Sequence, residues 1–149
     1  MSLPRLLESQ QARLGKLNAL LEHEQQALIA GTIDGSQLEQ IATEKAELLQ
    51  AVEATESGRA RVQERLGYPA GRDGARQAAA DAGCLEHWQA TLEQAAQTAR
   101  LNDRNGRLIS LRMSHNQQML DYIHHITEKF VYAADGRTIS GQRRLSTSA

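Results

Sequence analysis

Leucine recurs at every seventh position at the front of this chain, at Leu7, Leu14, Leu21 and Leu28, with Leu3 and Leu17 interleaved. A seven-residue apolar period means that one side of a long helix lies along another helix. The same spacing returns twice. Leu38, Ile41, Leu48, Val52, Val62 and Leu66 form a second ladder with alternating steps of three and four. Leu85, Trp88, Leu92, Ile109, Met113, Leu120, Ile123 and Phe130 form a third. The chain is thereby constrained to long helices packed lengthwise, and its apolar seams read as surfaces for holding another protein.

Composition supports this. Only five of 149 residues are aromatic, Tyr68, Trp88, Tyr122, Phe130 and Tyr132, while Leu, Ala, Gln, Glu and Arg dominate. Straight-chain residues and Ala lose little freedom in a helix, whereas strands favour the β-branched and aromatic types that are scarce here. The expected fold is all-α: an antiparallel bundle of three long coiled-coil-like helices with a short extra helix and a flexible C-terminal tail. A net charge of −1 argues against a nucleic-acid binder, which needs a basic face to neutralise phosphates. No apolar stretch approaches the roughly 20 residues that cross a bilayer, so membrane insertion is not expected. The start carries no basic leader with an apolar run, and the simplest reading is a cytoplasmic protein.

Ser2 and Pro4 mark a helix start, since Pro in a first turn forfeits no hydrogen bond. The first helix is expected over about 4–30, broken by Gly31-Thr32-Ile33-Asp34-Gly35. Asp34 or Ser36 caps the second, over 36–66; Ser36 with Glu39 fits a capping box. So short a break folds the two back as an antiparallel hairpin. Gly67 to Gly74 has the Gly/Pro density of a loop, residues 75–82 form a short helix, and Gly83 stops it. A third long helix covers 84–132, with a weak spot at Asn102-Asp103-Arg104-Asn105-Gly106, because Gly costs about 1 kcal/mol relative to Ala. Gly106 lies on the ladder, where a missing side chain lets another backbone approach. The bundle domain is expected over 1–133, and 134–149, rich in Gly, Ser, Thr and Arg, as the tail. Lys45, Thr55 and Arg59 on the second seam, and Asn102, Asn116 and Thr127 on the third, are polar interruptions. Such residues cost stability but fix register or leave a groove partly open.

Catalytic chemistry finds no constellation. His23-Glu24-Gln25-Gln26-Ala27 begins like a zinc H-E-x-x-H motif but has Ala27 where the second ligand belongs. His124 and Glu128 are one turn apart, yet no second ligand pair accompanies them. Cys84 after Gly83 sits at a helix start, which lowers a thiol pKa, but a buried structural thiol is the default. Gly67, Gly71 and Gly74 lack the setting of a phosphate loop. No metal, cofactor or enzyme activity is expected. The stripe of Ile109, Met113, Leu120, Ile123, Phe130 and Val131, flanked by Leu108, Leu111 and Met119, either packs on the first two helices or meets a partner.

Four segments together resemble the FlgN family of flagellar export chaperones. Leu20-Leu21-Glu22-His23-Glu24-Gln25-Gln26-Ala27-Leu28 resembles its leading-helix pattern. Gly31 to Asp34, followed by Leu38, Glu39, Ile41, Lys45, Leu48 and Leu49, resembles its hairpin with a Lys-x-x-Leu-Leu signature. Asn102-x-x-Asn105-Gly106-x-Leu108-Ile109 is similar to its Asn-x-x-Asn-Gly-x-Leu-Ile motif. Val131-Tyr132-Ala133-Ala134-Asp135-Gly136 resembles its terminal segment, with Ala133 where a glycine is common. The match runs from about Leu7 to Gly141.

The resemblance implies a cytoplasmic type III secretion chaperone. It would hold the hook-filament junction proteins FlgK and FlgL through their C-terminal segments and deliver them to the export gate protein FlhA. The candidate partner-contact residues are then Asn105, Gly106, Ile109, Met113, Leu120, Ile123, Phe130 and Val131, with Tyr132 for gate docking. The competing reading is a structural coiled-coil adaptor or oligomerisation module, in which the stripe meets a copy of itself; a weak homodimer belongs to that reading.

Overall fold

The computed structural model describes residues 2–134, with side chains through residue 129. It contains four helices and, among the described residues, no strand: α1 (Leu3–Ile29), α2 (Gly35–Arg65), α3 (Arg72–Asp81) and α4 (Leu85–Ala134). The all-α expectation holds, and the long helices begin and end within two residues of their expected bounds. The tail read at 134–149 lies outside the described residues beyond Ala134. By packing, the chain divides after Leu108 into two units, Met1–Leu108 and Ile109–Ala149.

In the first unit, all six leucines of the opening ladder are buried, Leu7, Leu17 and Leu21 at no more than 1% exposure. Each contributes on the order of 2 kcal/mol through the apolar surface it removes from water. Leu17 and Leu21 pack with Leu101 and the half-buried Leu48. Leu20 and Ala27 pack with Ile41 on α2, beside Leu38 and Leu48. At the opposite end Leu3 and Leu7 meet Ala75, Ala78, Ala79, Cys84 and Trp88. The three alanines recur at i, i+3 and i+4, so α3 presents a flat face to α1 and the start of α4.

Direction follows from paired residues. Gln11 with His87, Asn18 with Thr98, and Leu21 and Glu24 with Asn105 ascend together, so α4 runs parallel to α1 here. Leu6 lies against Gly58 and Gln10 Nε2 donates to the Val52 carbonyl, a descending order that makes α2 antiparallel to α1. The result is an up-down-up bundle with α3 turning the chain between α2 and α4.

The helix ends depart from expectation at three points. Ser2 and Pro4 start α1, although the Ser2 side chain makes no capping bond. Asp34 caps α2 by accepting from the Gln37 amide at 3.2 Å, and Ser36 lies inside the helix, so the Ser36–Glu39 capping box is not used. α3 starts at Arg72 rather than residue 75, taking Gly74 into the helix. A Cβ at Gly74 would collide with the Pro69 carbonyl oxygen and stand 2.8 Å from Gln63 Nε2, so only glycine lets the α2–α3 loop close on α3. Leu66, expected on the second seam, instead forms the α2 C-cap and is 58% exposed.

Two of the polar interruptions of α2, Thr55 and Arg59, are buried with partners, and Lys45 is half-buried. The Thr55 hydroxyl bonds Arg13 and donates to the Ala51 carbonyl at 2.9 Å. Arg59 forks onto the Glu56 carboxylate at 2.9 and 2.7 Å, donates to Gln63 Oε1 at 2.7 Å, and lies 4.9 Å from the Trp88 ring centroid. Gln63 carries the chain of bonds on to the Pro69 and Gly71 carbonyls at 2.6 and 3.1 Å. An arginine bonded through all three nitrogens and lying over an aromatic ring is the arrangement that makes such a residue tolerable in a core.

The third ladder needs the largest revision. Trp88 is buried and Leu85 and Leu92 are half-buried, but Ala95, Ala99, Asn102 and Gly106 on the same ladder are exposed. The face turned inward is the neighbouring one, through Cys84, Trp88, Thr91, Leu101 and Asn105. Its seven-residue period runs Cys84, Thr91, Thr98, Asn105, mostly polar and therefore silent in a search for apolar recurrence.

Candidate partner-binding surface

The Asn-Gly segment is where α4 is tied to the hairpin. Asn105 is 1% exposed; its Nδ2 donates to the Leu21 carbonyl at 2.7 Å and to Glu24 Oε1 at 2.9 Å. Glu24, itself 5% exposed, also accepts from Lys45 Nζ at 3.3 and 3.1 Å. One carboxylate thus joins α1, α2 and α4. A buried acid keeps its charge at low cost only when paired and hydrogen-bonded, and here both oxygens are. Arg104 adds a looser ion pair to Glu22 at 3.5 Å. The same run that looks like a helix breaker in sequence is inside α4, held by this network.

The candidate residues therefore separate. Asn105 faces inward and holds the bundle together, leaving no side-chain atom for a partner to reach in this fold. Gly106 is exposed, and a Cβ built on it meets nothing within 4 Å, so the expected close approach of another backbone is absent. Ile109, Met113, Leu120 and Ile123 are exposed, at 38, 67, 52 and 52%. The side chains of Phe130, Val131 and Tyr132 lie outside the described residues.

The second unit exposes more than the sequence ladder names. Leu111, Met119, Tyr122 and Ile126 are also 46 to 66% exposed. Tyr122 and Ile126 have a signal: with Met119 they repeat at three and four residues, a ladder beside the one marked by Ile109 and Ile123. Most polar residues take the remaining arc, where Gln117 Nε2 donates to Asp121 Oδ1 at 3.0 Å, while Arg112, His115, Asn116 and Thr127 fall among the apolar ones. Monomers seldom leave so many large apolar side chains contiguous in water, and such a patch marks an interaction site.

Other candidate chemistry stays local. Cys84 is buried among Leu3, Leu7 and Trp88, matching the default of a buried structural thiol, and burial pushes its thiol pKa up. Among the described residues, no three His, Cys, Asp or Glu side chains converge to hold a metal, and no helix is long and apolar enough to cross a membrane.

A family model described as FlgN protein matches residues 1–139. The chain belongs to the FlgN family. It is 33% identical to the flagella synthesis protein FlgN of Salmonella typhimurium over 141 residues, covering 95% of this chain and 93% of that one. The Salmonella typhi protein of the same name matches equally, and the Escherichia coli K12 protein is 28% identical over the same length. No solved structure matches the chain. FlgN is not an enzyme family.

Proposed function

We propose that this protein is a cytoplasmic flagellar export chaperone. It binds hook-filament junction proteins of the FlgK and FlgL type, prevents their premature assembly, and delivers them to the export gate protein FlhA. The observation that carries the reading is the exposed apolar run of α4 from Ile109 to Ile126 in a chain of the FlgN family.

The physics is masking. A junction subunit outside the filament carries terminal segments whose apolar faces await neighbours. Such a segment folds as an amphipathic helix against a ready-made apolar helix, contacting residues at i, i+3, i+4 and i+7. Hiding it blocks assembly and proteolysis with no bond chemistry. Ordering a flexible segment consumes part of the contact energy, which keeps affinity moderate and release feasible. Met113 and Met119 suit more than one cargo, because unbranched thioether chains adapt their shape. Phe130 and Val131 extend the surface in this reading, and Tyr132 docks the loaded chaperone to the gate.

Titration calorimetry with the C-terminal region of a FlgK- or FlgL-type protein tests this. The expected result is a 1:1 complex. A folded sample that binds neither, and whose mass by light scattering rises with concentration, overturns the reading in favour of a self-assembling adaptor.

A further inference from the structure

The exposed apolar residues of the second unit form two seams. At about 100° per residue, Ile109, Met113, Leu120 and Ile123 cluster around one direction from the helix axis. Leu111, Met119, Tyr122 and Ile126 cluster around another, about 120° away. Together they occupy roughly 200° of the circumference, about twice the stripe a helix needs to face one neighbour. Both seams are open, the first at 38 to 67% exposure per residue and the second at 46 to 66%.

Area decides what can cover them. These side chains leave on the order of 800 Å² in water, the share one partner brings to a standard specific interface. A single docked helix meets one seam and covers roughly half of that, below what a stable specific complex buries. A second copy of this chain, pairing α4 with α4, also fills one seam per helix and leaves the other bare. The chain's own C-terminal residues beyond Ala134 offer only Ile139 and Leu145 as large apolar side chains, too few to close either seam.

We infer that residues 109–126 of α4 take two amphipathic helices from one partner chain at once, one along each seam. Seams about 120° apart set the two docked helices on separate flanks of α4, each packed against its own seam. Asn116 interrupts the first seam and His115 the second, and a polar group in each seam favours a partner helix with a polar residue at the matching level. The inference rests on the export-chaperone reading for the class of partner, a subunit with helical terminal segments, and adds that two segments are held together.

The test uses the full chain with Leu120→Glu on the first seam and Met119→Glu on the second, each against a complete FlgK-type subunit and against its C-terminal segment alone. Glu is a good helix former and both positions are exposed, so helicity by circular dichroism should be unchanged. Each variant should weaken the complete subunit by at least about tenfold, the loss of a central interface contact. The isolated segment should bind more weakly than the complete subunit and respond to only one of the two variants. Binding of the complete subunit that responds to one seam alone overturns the two-helix inference and leaves the chaperone reading standing. A concentration-dependent homo-oligomer that either variant dissolves, with no subunit bound by the unaltered chain, overturns both.

Discussion

Between Leu85 and Leu108, α4 turns Thr91 and Asn105 inward, with Thr98 half-buried beside them, and holds each by a hydrogen bond. Between Ile109 and Ile126 the same helix leaves isoleucine, leucine, methionine and tyrosine in water. The first stretch is specified from within: a carboxamide that must reach both the Leu21 carbonyl and Glu24 admits one neighbour in one register. The second makes no such demand, since apolar contact is non-directional. Directional bonds fix the chain's own bundle, and undirected apolar area is left for whatever the chain must accommodate.

Truncating the apolar support of the inward stretch should have the largest effect. Leu21 is 1% exposed and packs on Leu17 and Leu101, so Leu21→Ala should cost about 2–5 kcal/mol in urea unfolding, the range for large cavities. Asn105→Ala should come next, at about 2 kcal/mol, because it strips a donor from the Leu21 carbonyl and from a buried carboxylate. A loss under about 0.5 kcal/mol at Asn105, typical of a surface site, would erase the contrast between the two stretches.

The fold is legible where apolar spacing carries it. The α1 heptad names six core leucines, and Gly31 to Gly35 and Gly67 to Gly71 mark the turns through their backbone freedom. The inward face of α4 is not legible, because its recurrence runs through Thr91, whose hydroxyl bonds the His87 carbonyl of its own helix, and through Thr98 and Asn105, which bond Asn18, Leu21 and Glu24 on α1. Hydrophobic periodicity cannot see a seam made of hydrogen bonds. It joins Ile109, Met113, Leu120 and Ile123 to Trp88 in one continuous ladder, whereas packing divides them. Asn105 and Gly106 form a single motif in sequence although one is buried and the other exposed.

On the outward stretch the order of effects should reverse. Ile123→Ala removes a larger apolar group than Asn105→Ala removes polar atoms, yet a 52% exposed side chain should cost less than about 0.5 kcal/mol in urea unfolding. The same variant should weaken capture of a FlgK-type subunit by about tenfold in calorimetry. A stability loss at Ile123 matching that at Leu21 would place it in a core. Tyr132→Ala should leave subunit capture unchanged and reduce pull-down of FlhA; loss of capture as well would end the division of roles between stripe and gate residue.

A thiol reports both stretches with one reagent, and its expected effect on stability is the smallest. Cys84 is 3% exposed, and burial raises its pKa, so less thiolate forms at any neutral or mildly alkaline pH than at an open site. The sign is fixed by the direction of that shift: thiolate accumulates only as pH climbs past the ordinary thiol range, and reaction also waits on local opening of α1 from α3. The thiol introduced by Leu120→Cys, at a 52% exposed position, meets neither barrier. Iodoacetamide at pH 8, followed by mass spectrometry, should therefore modify this introduced thiol on the order of 100-fold faster than Cys84. Adding the FlgK-type subunit should slow the new site and leave Cys84 as it was. Equal rates without partner would mean that the inward stretch opens as freely as the outward one, and the bonds of Asn105 and Glu24 would then secure nothing.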